Sequence, residues 1–457
     1  IDGGALASLS SLVDAIPSPV VEEHPRVLTH RAEVARLRGE YDEAQAMFRH
    51  AAALLHEAGD GEGQADALHS LATIARRRGD FEAAFSYLDR AVELTDESSP
   101  VRVKCGNTRG LCLVATGEWT RAEAEFRAAL ESAEERKDDR FARLIAHNLG
   151  LPALIRGNFG EALRWLRRML RDDQKSPPMP QEATAHLNIA RCHLYRGETE
   201  ACEQHLNSAL EYCQLFNLVA LHGEVFETYG NLHRERGDTA RASEFYERAA
   251  RAYDEAGIDL TRRELMEEQA VLYQQAGDLM TAHVLLDRLV AARSAAKDEM
   301  GFYTATLTRA SMALAQGDSQ TARAELESAL KYFRANGLYY YEAQSSMSLA
   351  ACCLALGDEI AMLEHLRRAL ELAARFDYEY WLHKEAARRA ELFAHPDASE
   401  LLPADIQEQL AAMPSREVET APLFVRNVVI DLIRWTPRSR QRNHRLKVGF
   451  TPFQVAV

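Results

Sequence analysis

The stretch LATIARRRGDFEAAFSYLDRA (71–91) holds the turn around which the chain is built, Gly79-Asp80-Phe81. The turn recurs nine times, at Gly39, Gly79, Gly117, Gly157, Gly197, Gly237, Gly277, Gly317 and Gly357. Seven of the eight intervals are 40 residues and the other is 38. A fixed period in the range of about 20–50 residues marks a solenoid. Glycine suits the place because a helix that stops and reverses commonly ends in a left-handed residue, which glycine adopts without a Cβ clash. The next residue is acidic or polar (Glu40, Asp80, Glu118, Asn158, Glu198, Asp238, Asp278, Asp318, Asp358) and complements the open N–H groups of the following helix.

The flanks repeat as well. Seven residues before each glycine stands a small residue: Ala32, Ala72, Gly110, Gly150, Ala190, Gly230, Ala270, Ala310 and Ala350. Nine after it comes a large one: Phe48, Leu88, Phe126, Leu166, Leu206, Tyr246, Leu286, Leu326 and Leu366. Positions five and twelve after it are mostly alanine, and offsets of five, nine and twelve share one helical stripe. Small residues let two antiparallel helices approach, and large ones fill the groove between pairs.

This pattern resembles the tetratricopeptide repeat over roughly residues 25–376. The unit is 40 residues, against about 34 in the common form. The proline near the end of the second helix is missing, which suits the longer, MalT-like variety. HNLGLPALIRGNFGEALRWLRRML (147–170) and LALGDEIAMLEHLRRALELAARFDYEYWL (354–382) look like the repeat region of MalT-like transcriptional activators. The resemblance implies an all-α, right-handed solenoid of about nine helix pairs. It also implies a regulatory setting in which an ATPase module precedes the repeats and a DNA-binding domain lies elsewhere.

The expected organisation is an N-terminal helix and linker (1–24), repeats (25–376), a degenerate capping helix pair (377–414) and a basic, strand-like tail (415–457). LFVRNVVIDLI (423–433) is rich in β-branched residues and reads as a strand. Some MalT-like relatives carry a strand-first winged-helix domain after the repeats, and residues 423–457 match the start of one poorly. Pro152 is expected to kink its helix, and SPPMP (176–180) to form a stiff link. The chain opens at Ile1 with no obvious polar capping element, so it is expected to be a fragment that a further domain once preceded.

Composition narrows function. The net charge of −15 is uneven: residues 421–457 carry seven basic side chains and one acid, so +6, leaving −21 on the rest. An acidic body is not by itself a nucleic-acid surface. Phosphate contact is therefore expected, if anywhere, at Arg438, Arg440, Arg442 and Arg445; docking of the tail on the acidic body is the plainer reading. The seven cysteines (Cys105, Cys112, Cys192, Cys202, Cys213, Cys352, Cys353) lack metal or redox spacing and read as core residues in a reducing, cytoplasmic compartment. No apolar run approaches membrane-spanning length. No catalytic, nucleotide or metal motif occurs, so no reaction, cofactor or metal is expected. His186 and His193 share a helix and read as solvated or hydrogen-bonded.

Binding is expected on the concave face, lined by the first helix of each pair, by protein, peptide or a small effector. In pairs three to six that face collects apolar residues and amides: Asn107, Leu111, His147, Asn148, Leu151, Leu187, Asn188, Arg191, Tyr195, Glu227 and Asn231. Such a floor has the composition of a ligand pocket. Arg191 is expected to pair with an anionic group of the ligand. Pair one, with Arg36, and pair seven, with Glu267 and Glu268, read as an ordinary solvated groove. The Lys/Asn pairing with which some tetratricopeptide domains hold a carboxylate tail is absent from pairs three to six, which argues against a chaperone partner. The alternative to a regulator is a stand-alone scaffold or peptide receptor.

Overall fold

The computed structural model describes residues 11–13, 15–17, 20, 24–170, 178–257 and 262–412. The expected strands, the basic loop and most of the first helix lie outside these residues, as does part of the proline-rich link.

Helices alternate along the whole described chain. Pair one is α1 (Pro25–Leu37) with α2 (Tyr41–Glu57), pair two α3 (Gly61–Arg77) with α4 (Phe81–Glu93), and pair three α5 (Pro100–Ala115) with α6 (Trp119–Glu135). Pair four is α7 (Asp139–Arg156) with α8 (Phe159–Met169), pair five α9 (Pro180–Tyr195) with α10 (Thr199–Phe216), and pair six α11 (Val219–Glu235) with α12 (Thr239–Glu255). Pair seven is α13 (Arg262–Gln275) with α14 (Leu279–Ala295), pair eight α15 (Glu299–Ala315) with α16 (Ser319–Ala335), and pair nine α17 (Tyr339–Ala355) with α18 (Glu359–Phe376). Short helices follow: α19 (Glu379–Arg388), α20 (Ala390–Phe393), α21 (Pro396–Ser399) and α22 (Ala404–Ala412). α7 continues through Pro152 without a break.

The nine turn glycines all take positive φ, from +73° to +87°. A second left-handed position follows twenty residues after seven of them, at Gly59, Lys137, Asn217, Gly257, Lys297, Gly337 and Asp377. It ends the second helix of a pair, and only three of its seven occupants are glycine, so a search for glycine does not find it. The residue after the turn divides by length. Asp80 accepts from the Ala83 amide at 3.1 Å, and Asp238, Asp278, Asp318 and Asp358 cap in the same way. Glu40, Glu118 and Glu198 make no side-chain cap bond.

The small and large positions meet in the three pairs whose small residue is glycine. A Cβ on Gly110 would lie 2.4 Å from the Phe126 ring, one on Gly150 2.8 Å from Leu166, and one on Gly230 2.4 Å from the Tyr246 ring. First helices of successive pairs also pack on one another, whereas each second helix packs chiefly on the first helices either side of it. The first helices therefore line the inside of the curve. All seven cysteines are free and buried. Burial pushes the Cys105 thiol up to about 12 and those of Cys112 and Cys352 to about 11, so they are protonated core groups.

Candidate functional site

Repeat arrays ordinarily bring only neighbours into contact. This one winds far enough to touch itself. The turns of pairs four and five meet the start of pair nine and the helix after it. Arg156, at the end of α7, donates to the Gly337 carbonyl at 3.3 Å and to the Tyr339 hydroxyl, and lies 4.9 Å over that ring. The Tyr378 hydroxyl donates to the Gly157 carbonyl at 2.9 Å. Arg196 pairs with Asp377 at 2.6 Å, and Tyr380 and Lys384 both reach Glu235 at the end of α11. Between these polar contacts lies an aromatic cluster. Phe159 stacks on Tyr195 at 4.5 Å, Tyr340 sets its edge against both, and Tyr378 packs on Tyr340 at 5.0 Å. The approach is so close that a Cβ on Gly157 would fall 2.5 Å from the Tyr340 Cβ, and one on Gly197 2.3 Å from the Tyr380 ring.

The inner-face residues singled out in the sequence are buried. Asn148 donates to Asn107 at 2.8 Å and meets His147 at 3.2 Å, which joins pairs three and four. Burial pushes the His147 imidazole down to about 4, so it is neutral near pH 7. Arg191 is 1 % exposed and bonds Asn188, Thr228 and Glu224, the last at 3.2 Å. Glu227 accepts from Tyr253 at 2.9 Å, and Asn231 from Tyr246 at 2.7 Å. Leu111, Leu151 and Leu187 belong to the core, and Tyr195 to the aromatic closure. Arg438, Arg440, Arg442 and Arg445 lie outside the described residues.

Open space lies nearer the N-terminus. A cavity of about 280 Å³ is lined by α1, α3 and α5, with Thr29, Glu33, Arg36, Asp66, His69 and Arg76 on its wall and Asn107 and Thr108 at the pair-three end. Pair one is thus not the solvated groove expected: Arg36 is buried against Glu33, and Glu267 and Glu268 of pair seven are buried too. Across the cavity Lys104 pairs with Asp66 at 2.8 Å, and the His69 ring meets Thr108 at 3.0 Å. The available sequence signal was an arginine three residues before the turn glycine in two successive pairs, Arg36 and Arg76.

Residues 63–395 match the MalT-like TPR region, and residues 23–97 a tetratricopeptide repeat. The chain belongs to the MalT-like TPR family. A search of curated proteins finds no significant match. Among solved structures, this MalT-like solenoid is similar to a Rap protein complexed with Competence and Sporulation Factor, with a TM-score of 0.61, 14 % identity, and coverage of 78 % of this chain and 99 % of that one. It is also similar to the apo form of the quorum sensor NprR from B. thuringiensis, with a TM-score of 0.53, 15 % identity, and coverage of 77 % and 99 %. At these identities the likeness is one of fold.

Two titratable clusters lie elsewhere on the MalT-like solenoid. His186 and His193 of α9 both meet His205 of α10. The first does so by an Nδ1–Nδ1 contact of 2.9 Å, the second by stacking at 5.5 Å. Burial pushes both His186 and His205 down to about 4. Near the C-terminal end, Glu379, His383 and Asp405 bring ligand atoms within 4.8 Å of one another, on exposed or half-buried side chains. No helix among the described residues is long and apolar enough to cross a membrane.

Proposed function

We propose that this chain is a non-catalytic binding module that takes a peptide or small effector against its inner face and serves as the sensing part of a cytoplasmic regulator. The observation that carries this reading is the polar cavity of about 280 Å³ on the inner side of pairs one to three. Its size is close to the lower end of ligand pockets, about 300 Å³. Two further facts support it. The family is that of the MalT-like repeats, and solenoids of this fold include one complexed with Competence and Sporulation Factor and a quorum sensor. The seven free, buried thiols suit a reducing compartment.

In this reading the inner face of pairs three to six is the second part of the binding surface. Asn107 and Thr108 join it to the cavity, and Asn148, Asn188, Arg191 and Asn231 lie beyond. Engagement there exchanges bonds now made within the chain, and Tyr195, which belongs both to this face and to the aromatic cluster, links binding to the contact with pair nine. A ligand that favours one form of that contact shifts the population of both. DNA contact, if the protein makes it, falls to another domain or to the basic tail. A stand-alone scaffold uses the same surface.

The test is calorimetric titration of a random heptapeptide pool and of its enriched members against the parent and Thr73→Arg, which fills the cavity. The parent is expected to bind and the filled variant to lose at least tenfold in affinity. Equal affinity in a folded Thr73→Arg variant removes the cavity of pairs one to three as the site.

A further inference from the structure

Charge inside the cavity does not balance. Both carboxylates on its wall are already engaged: Glu33 holds Arg36 at 2.7 Å, and Asp66 holds Lys104 at 2.8 Å. Arg76 lines the same cavity and is 7 % exposed. Among the described residues it has no ion-pair partner, and its Nε has no hydrogen-bond acceptor. Its cationic neighbours are Arg36 and Arg77, of like sign, and burial pulls its pKa down. A guanidinium stays protonated even so. Taking a charge out of water without a partner is costly, and proteins avoid it unless something else supplies the partner. The hydroxyls around it are already turned to the backbone: Thr73 donates to the His69 carbonyl and Ser70 to the Asp66 carbonyl.

We infer that Arg76 is the anion-binding residue of the cavity and that the natural ligand presents a carboxylate or phosphate oxyanion to it. The guanidinium offers a planar fork that matches either group, in a setting where a charge-assisted bond is strong. The cavity's volume admits a small metabolite or the end of a peptide, not a folded domain. With Asp66 and Glu33 already paired, the site suits a small polar molecule that presents one oxyanion. The inference deepens the reading of the inner face as a binding surface and rests on it.

The experiment uses the full chain and two probes, succinate and inorganic phosphate, with chloride at matched ionic strength as the reference. Calorimetry and thermal unfolding are expected to show binding of at least one probe by the parent. Arg76→Gln should weaken that binding tenfold or more, and Arg78→Gln, outside the cavity, should leave it unchanged. Without any probe, Arg76→Gln should unfold at the same or a higher temperature than the parent, because it removes an uncompensated charge. Succinate acting alone assigns a carboxylate ligand, and phosphate acting alone assigns a phosphate ester. The inference is overturned if neither probe binds, if Arg76→Gln binds as the parent does, or if Arg76→Gln is markedly less stable without probe. Peptide binding indifferent to Arg76→Gln would remove this inference and leave the wider reading intact. Arg76-dependent anion binding with no peptide or effector engaged would do the reverse.

Discussion

The Tyr378 hydroxyl donates a 2.9 Å hydrogen bond to the backbone carbonyl of Gly157, 221 residues earlier in the chain. In a solenoid, residues so far apart meet only when the superhelix has completed its turn. The consequence is energetic. Pairs four and five depend on pair nine as well as on their neighbours, so the stability of this array is not a sum of nearest-neighbour terms alone.

Tyr378→Phe is expected to cost about 0.5–1.5 kcal/mol, since it removes a hydrogen bond and leaves the ring in place. Gly157→Ala should do more, because its Cβ would lie 2.5 Å from Tyr340 on a backbone with φ of +86°. Small-angle scattering should then show a more extended particle while circular dichroism stays helical. An unchanged scattering profile would mean that the contact does not hold the closed form.

Leu206→Ala empties a fully buried position in α10 and should cost about 2–5 kcal/mol. Hydrogen exchange is expected to rise in pairs four to six and, through the closure, at the start of pair nine. Loss confined to pairs four to six would show that the closing contact transmits nothing.

The repeats themselves suggest a compensated double mutant. Five pairs set alanine against leucine at the small and large positions, whereas Gly110 faces Phe126. Gly110→Ala alone overpacks this contact and should destabilise by about 1–3 kcal/mol. Adding Phe126→Leu restores the combination used elsewhere and should recover most of that loss in denaturant unfolding. If the double variant is the sum of its singles, the two positions are not packed as a unit.

Capping separates aspartate from glutamate. Asp80→Ala removes an acceptor bonded to the Ala83 amide and should cost about 1 kcal/mol. Glu118→Ala removes no cap bond and should cost less. Equal losses would place the effect in charge alone.

Stability should fall as the solution is acidified. The His147 imidazole is held down to about 4 by burial, from 6.5 in the unfolded chain. Between those values the unfolded state binds the extra proton, so stability decreases as pH falls through that window and is flat above it. The slope from one such histidine is at most about 1.4 kcal/mol per pH unit. His147→Gln should be less sensitive in urea unfolding compared at about pH 7.5 and about pH 5. An identical sensitivity would show that His147 already protonates in the folded state.

The period of the turn glycines determines the fold, because helix stop, reversal and small–large packing are local demands repeated by each unit. Asp80 was legible as a cap and Gly110–Phe126 as a contact because both partners lie within one pair. The left-handed turn at Lys137 was not, because the backbone there follows from packing of the two pairs and not from the residue's own preference. Nor were the Tyr378–Gly157 closure and the placing of Arg76 in an open, polar cavity. Each depends on the rotation between successive pairs, accumulated over several units, and no short window of sequence carries that sum. Arg191 and Arg76 read alike in sequence, as basic residues on an inner face. Tertiary packing brings Glu224 to the first and brings no carboxylate to the second, and that difference gives the cavity its unbalanced charge.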